Sequence, residues 1–149
     1  MPGYVSPHAY LRPEGVELMG RDAQLAVIPY GDVRAVYFVR NIDVELDAKE
    51  RRVFGSRPKL DGLWVRMKLR DNETLEGVMP NNLLMVGEYG LTVTPPDANS
   101  NVQRIFVPRE ALEELTVVGV IGSPMRRPRK ERAVPAGKQA GLFEEGDAE

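Results

Sequence analysis

The chain has 149 residues, which is enough for one ordinary domain or two very small ones. It has no cysteine and a single histidine, His8, which excludes disulfides, zinc–thiolate sites, thiol catalysis and any site built on two histidines. Twenty basic and twenty-two acidic side chains give a net charge of −2, so the whole chain is not a polycation for nucleic acid. No apolar run is long enough for a membrane span and Met1–Tyr4 does not open a signal peptide, so we expect a cytoplasmic protein with no membrane partner.

Residues 1–40 contain short apolar stretches separated by glycine and proline, a pattern typical of β-strands and tight turns. We expect an incomplete small β-barrel here, with strands beginning near Gly3 and Gly15. Residues 41–62 carry charges of both signs and are predicted to connect this unit to the next. In the first unit we expect the following side chains to be buried: Leu18, Val27, Ile28, Val33 and Val36.

Residues 63–122 carry the clearest strand signal. Three apolar side chains alternate with three cations over residues 64–70, as in a half-buried strand. After an Asp71-Asn72 turn, further strands are predicted at 74–79, 90–94, 104–107 and 115–118, with a hairpin loop at 95–101 and one helical turn at 109–114. Five short antiparallel strands favour a small closed barrel over a sandwich. The expected core is Val65, Met67, Leu69, Leu91, Val93, Ile105 and Val107.

The two units resemble each other, which indicates an internal duplication. Residues 28–36 match 107–115, residues 15–18 match 90–93, and residues 3–5 match 77–79. Pro29 is then equivalent to Pro108. The alternative is that two unrelated β-meanders have glycine and proline at similar positions because both need turns there.

If the duplication holds, the first copy lacks a counterpart of strand 64–70 and leaves an exposed strand edge at residues 3–8. Three arrangements would cover that edge: residues encoded upstream of a late start, a returning segment at 42–54, or a second molecule across a two-fold axis. In the returning segment, apolar contacts would come from Val44, Leu46 and Val53. Because Pro2 and Pro7 limit the backbone donors of this edge, we favour the late start.

Residues 123–149 have several prolines and almost no periodic apolar residues, so we expect a disordered tail. The tail contains Gln139-Ala140-Gly141-Leu142-Phe143. This Q-x-x-L-F run resembles the pentapeptide by which bacterial DNA-metabolism proteins dock on the replication sliding clamp. The resemblance implies that Gln139, Leu142 and Phe143 contact the clamp. The alternative is that Leu142 and Phe143 fold back onto the β-units.

The pattern of residues 63–118 resembles the Sm-like branch of small SH3-like barrels. The matching elements are Arg66–Arg70, Asp71-Asn72, Leu75-Glu76-Gly77, Asn81-Asn82-Leu83 and the ending Ile105–Val118. The chain also looks like a family of uncharacterised bacterial proteins with paired barrels of this type. The Sm-like resemblance implies RNA contacts from Asn81 and Asn82. The basic-glycine pair that Sm-like proteins carry after the fourth strand is absent, because Pro108-Arg109 stands there.

The predicted function is that of a non-catalytic binding or adaptor protein without metal or cofactor, because no catalytic or metal-ligating constellation occurs in the sequence. The main alternative is a nucleic-acid-binding protein that uses two basic runs. Their members are Arg66, Lys68 and Arg70 on the strand, and Arg126, Arg127, Arg129 and Lys130 in the tail. The competing interpretation of the strand cations is that they lie on a solvent-exposed face of the strand and bind no nucleic acid.

A third reading is a cyclic-dinucleotide receptor. Arg66 to Arg70 spells R-x-x-x-R, and Asn72–Gly77 approximates [DN]-x-S-x-x-G, which together resemble the signature of PilZ domains. Thr74 stands where that signature has serine, and the two elements abut instead of lying well apart.

Overall fold

The computed structural model describes residues 1–46, 52–97 and 100–122, and in these the chain forms β-strands and single turns of 3₁₀ helix. The expected all-β class is therefore confirmed. The strands are β1 (Gly3–Tyr4), β2 (Leu11–Arg12), β3 (Gly15–Gly20), β4 (Leu25–Ile28), β5 (Val36–Val39), β6 (Gly62–Leu69), β7 (Thr74–Met79), β8 (Gly90–Val93), β9 (Val102–Pro108) and β10 (Leu112–Ile121). The 3₁₀ turns are Tyr30–Asp32, Leu83–Met85 and Arg109–Ala111.

Each predicted strand overlaps an observed one, but several boundaries differ, most of all at the start of β10. The helical turn predicted at 109–114 ends at Ala111, and β10 begins at Leu112. The reason is that Leu112 already pairs with Leu69 of β6, so a single 3₁₀ turn reverses the chain between β9 and β10. The predicted tail, with its clamp-like motif, lies outside the described residues.

The C-terminal unit (residues 52–97 and 100–122) contains two antiparallel sheets joined at one point. β6 lies between β7 and β10, β8 pairs with β9, and a bridge between Val78 and Thr94 connects β7 to β8. The alternating apolar residues of β6 face inward, as period-2 alternation requires. All seven side chains expected in this core are buried: Val65, Met67, Leu69, Leu91, Val93, Ile105 and Val107.

The N-terminal unit (residues 1–46) is organised around β3. β1 and β2 pair along one edge of β3, and β4 pairs along the other. The last strand of the unit, β5, instead pairs with β9 of the C-terminal unit. The two units are therefore connected by a continuous β-ladder that crosses from one to the other.

Burial in the N-terminal unit differs in part from the expectation. Leu18 and Val33 are buried, whereas Ile28 and Val36 are only half-buried. Val27 was expected in the core but is 46% exposed. Val27 shares the outward face of β4 with the exposed Leu25, whereas Ala26 and Ile28 on the other face are half-buried.

A second core joins the two units. Phe106 of β9 is 1% exposed and packs with Val16, Tyr30 and Val33 of the N-terminal unit. Tyr10 meets the Phe106 ring edge-on at a centroid distance of 5.8 Å. An aromatic side chain of the C-terminal unit thus completes the core of the N-terminal unit.

The pairing registers of the two units correspond residue by residue. Val16 lies opposite Ile28 just as Leu91 lies opposite Val107. Tyr4 lies opposite Met19 just as Val78 lies opposite Thr94. In both units a proline then precedes a 3₁₀ turn, Pro29 in one and Pro108 in the other. These equivalences agree with the predicted duplication and its alignment of the two prolines.

Candidate functional site

The N-terminal unit contains an open groove of about 1030 Å³. One wall is β1 with the residue that follows it, and the opposite wall is β5. Val16, Leu18 and Ile28 form an apolar floor between the walls. All four residues of β5 line the groove and are half-buried. We call this feature the open groove.

Both walls of the open groove end in a strand edge with no further strand beside it. Within the described residues, β5 pairs only with β9 and β1 pairs only with β3. In the C-terminal unit the equivalent strands are β10 and β7, and β6 lies between them and pairs with both. The open groove therefore occupies the place in the N-terminal unit that β6 fills in the C-terminal unit.

The segment that follows β5 runs along the rim of the open groove. Asp43 forms an ion pair with Arg21 at 3.0 Å, and Arg21 also donates to the carbonyl of Ile42 at 3.1 Å. Asn101 holds the same segment through its side chain, which donates to the Asn41 carbonyl at 2.8 Å. These contacts fix residues 41–43 at the rim and not inside the open groove.

The three side chains expected to cover the exposed edge from residues 42–54 do not become buried. Val44 is 50% exposed, Leu46 is 46% exposed and Val53 is 45% exposed. Val44 and Leu46 line the open groove but remain largely solvated. Among the described residues of this segment, the three side chains expected to cover the edge are therefore not buried against it.

The inner end of the open groove is built on packed aromatic rings. Phe38 of β5 lies edge-on to Tyr10 at 5.4 Å and carries the Arg104 guanidinium over its outer face at 5.5 Å. Burial raises the pKa of the Tyr10 phenol, which Thr92 and Arg104 partly oppose. Tyr10 is therefore neutral near pH 7, and its ring acts as a rigid apolar support for Phe38.

The basic strand predicted as a nucleic-acid surface is engaged in ion pairs. Arg66 Nε donates to Glu76 Oε1 at 2.9 Å, and Lys68 Nζ lies 3.2 Å from a carboxylate oxygen of Glu113. Arg70 is exposed in the turn that follows β6. The structure thus places two of the three cations on the strand, and acidic neighbours offset the charge of both.

Glu76 lies on β7 opposite Arg66 and is buried despite its charge. Sequence reasoning missed its role. The residue is 3% exposed, and its carboxylate also accepts hydrogen bonds from the Phe54 amide at 3.1 Å and the Trp64 indole at 2.9 Å. Burial opposes its charge, but these donors and Arg66 outweigh that effect and hold the pKa of Glu76 below its ordinary value. Since Arg66 and Glu76 lie at equal sequence distances on either side of Asp71, the hairpin register is the signal that would have found the pair.

The remaining predicted site residues are not brought to the open groove. Asn81 and Asn82 are exposed beyond β7, and the Asn82 side chain accepts from the Leu84 amide at 3.0 Å as a cap for the next 3₁₀ turn. The tail residues Gln139, Leu142, Phe143, Arg126, Arg127, Arg129 and Lys130 lie outside the described residues. Among the residues that the structure describes, no cluster of His, Asp or Glu side chains is arranged to hold a metal ion.

A protein-family model matches residues 1–119, which include every strand of the N-terminal unit and most of the C-terminal unit. The chain belongs to the family of unknown function DUF6982. The expected membership in an uncharacterised family is thereby confirmed. No curated protein and no solved structure matches the chain. Over the described part of this DUF6982 chain, no helix has the length and apolar character that a bilayer crossing requires.

Proposed function

We propose that this protein is a non-catalytic binding protein whose ligand is another polypeptide, held in the open groove. The observation that carries the proposal is the pair of strand edges, β1 and β5, that face each other across an apolar floor. Free strand edges present backbone donors and acceptors, which are the groups that a polypeptide satisfies along its whole length.

The shape and polarity of the open groove favour a polypeptide over a small metabolite. Its volume of about 1030 Å³ is at the upper end of small-molecule pockets. Charged residues occur at the rim, where Arg21 and Asp43 already neutralise each other. The floor offers aliphatic side chains, and the lining around it also includes further charged residues of both signs.

Site-specific photo-crosslinking in cells tests the proposed ligand class. We expect a photoreactive residue in place of Tyr37, on β5, to give discrete adducts that a protease removes. The matched control carries the photoreactive residue in place of Glu113, on the equivalent strand β10, and should give none. Adducts removed by nuclease, or no adducts at position 37, would contradict the proposal.

We also infer that the C-terminal unit is a small barrel of the Sm-like or SH3-like type. In support, the strands run in the continuous order β10-β6-β7-β8-β9 through the bridge between Val78 and Thr94. The buried glycine Gly77 in the middle of β7 allows the close approach of strands that a tightly curved sheet needs. A solution structure of the C-terminal unit within the full chain tests this assignment.

A further inference from the structure

We propose that the ligand of the open groove binds as an extended strand, in the position that β6 holds in the C-terminal unit. This inference rests on the proposed function and specifies its ligand class and binding mode. The ligand strand would run antiparallel to both β1 and β5, and would connect the walls of the open groove into one continuous sheet.

The repeat transfers the register of β6 to both walls of the open groove. In the C-terminal unit, Val65 of β6 lies opposite Gly77 on one side and Val117 on the other. The repeat makes Gly3 equivalent to Gly77 and Phe38 equivalent to Val117. A single ligand residue would therefore lie between Gly3 and Phe38, although β1 and β5 are far apart in the sequence.

The preceding ligand residue is fixed in the same way. Trp64 of β6 lies opposite Val78, and the N-terminal counterpart of Val78 is Tyr4. Directly opposite residues of an antiparallel pair have Cα atoms about 4.5–5.5 Å apart. That spacing is within the range that a disulfide can bridge, so the register is open to a covalent test.

The chemistry of the ligand follows from β6 and from the floor of the open groove. In β6, Val65 and Met67 point into the core, and Arg66 between them points outward. The floor residues Val16 and Leu18 present the same kind of apolar surface to the open groove. The ligand class is thus an extended segment with aliphatic residues at alternate positions and polar residues between them.

A segment of the same chain has this pattern but does not occupy the open groove. Ile42, Val44 and Leu46 alternate with two acidic residues, and the ion pair between Asp43 and Arg21 holds this segment at the rim. Val44 remains half exposed there, and no segment among the described residues fills the open groove, so the proposed occupant is a partner polypeptide.

Disulfide trapping with a synthetic peptide tests the proposal, and the absence of native cysteine makes the readout clean. The probe is a peptide with the sequence of residues 62–70 that carries Trp64→Cys. We expect it to form a mixed disulfide with the Tyr4→Cys variant of the full chain. The control variant is Val117→Cys, whose exposed cysteine lies on β10, where β6 already fills the neighbouring position.

A second peptide tests the requirement for a hydrogen-bonded strand. It carries Arg66→Pro in addition to the cysteine, which removes one backbone donor from a strand that pairs on both sides. We expect this peptide to lose the disulfide with Tyr4→Cys. Amide hydrogen exchange of residues 36–39 in the wild-type chain should slow with the native-sequence peptide and remain unchanged with the proline peptide.

Several results would overturn the proposal. These are equal trapping by Tyr4→Cys and Val117→Cys, equal trapping of both peptides, or no slowing of exchange at residues 36–39. A disulfide within a Tyr4→Cys, Val44→Cys double variant that excludes the peptide would assign the open groove to the chain's own segment. A chain extended by the residues encoded before Met1 gives a further test. Slowed exchange at residues 36–39 in that chain, without peptide, would show that its own N-terminal extension occupies the open groove.

The proposed function and this inference fail in different ways. Protease-sensitive adducts at position 37 together with failed peptide trapping would retain a polypeptide ligand and reject the strand mode. Absent adducts at position 37 together with successful trapping would show a competent strand site whose cellular ligand is not a polypeptide.

Discussion

Gly3 and Gly77 approach their neighbouring strands in the same way. A Cβ atom on Gly3 would lie 2.7 Å from Leu18 Cγ, and one on Gly77 would lie 2.5 Å from Val93 Cγ2. Leu18 and Val93 are themselves equivalent in the repeat. The two units thus share a close contact between strands, and a larger residue at either glycine would clash with the neighbouring strand.

Gly77→Ala is expected to destabilise the protein by about 1–3 kcal/mol, because the added methyl group overpacks a fully formed core. Gly3→Ala should cost less, since β1 has two residues and ends at the open groove. Denaturant unfolding measures both changes. Gly119→Ala is the control, because its Cβ would meet no atom within 4 Å; an equal loss there would contradict the packing argument.

Phe106→Ala is expected to lower the free energy of unfolding by about 3–5 kcal/mol, because it empties the core that joins the two units. The N-terminal unit should lose protection first when amide hydrogen exchange is followed residue by residue. Val27→Ala, at an exposed aliphatic position, should change stability by less than about 0.5 kcal/mol. A large effect at Val27 would show that β4 is covered in solution.

Glu76 should make stability depend on pH in the acidic range. Its pKa in the folded state is lower than in the unfolded chain, so its contribution is fully present above the unfolded value of roughly 4.3. The contribution is lost as pH falls through the folded value. Wild type should therefore lose more stability than Glu76→Gln between pH 6 and pH 3 in thermal unfolding, and parallel profiles would contradict this.

A triple variant Arg66→Gln, Lys68→Gln, Arg70→Gln tests the nucleic-acid alternative. If this strand binds phosphates, electrophoretic shifts should be steeply salt-dependent in the wild type and weaker in the variant. Because Arg66 and Lys68 are already paired with Glu76 and Glu113, we expect no shift at either of two salt concentrations. A salt-sensitive shift that the variant abolishes would favour nucleic-acid binding.

The clamp-like tail motif gives a separate prediction. Leu142→Ala with Phe143→Ala should leave the melting temperature unchanged and abolish co-purification of the replication sliding clamp. The tail motif of this protein would then bind the clamp through Gln139, Leu142 and Phe143. A lower melting temperature of the double variant would indicate that Leu142 and Phe143 pack on the β-units. Failure to recover the clamp with the wild type would end the hypothesis.

The sequence by itself determined the local β-structure. Alternation at residues 65–69 is sufficient to place a strand and its buried face, because neighbouring side chains of a strand point to opposite sides. Pro29 and Pro108 mark equivalent turns in the same direct way. The free edge at residues 3–8 was also predicted from the repeat, because residues 1–40 contain no segment that matches strand 64–70.

Only the tertiary structure decided how the strands combine. The pairing of β5 with β9 joins residues that are distant in the chain, so no local pattern encodes it. That pairing leaves the other edge of β5 facing β1 and creates the open groove, and it brings Phe106 into the N-terminal core. The exposure of Val27 has the same origin: alternation assigns a residue to a face of a strand, but the neighbouring strands and helices decide which face is covered.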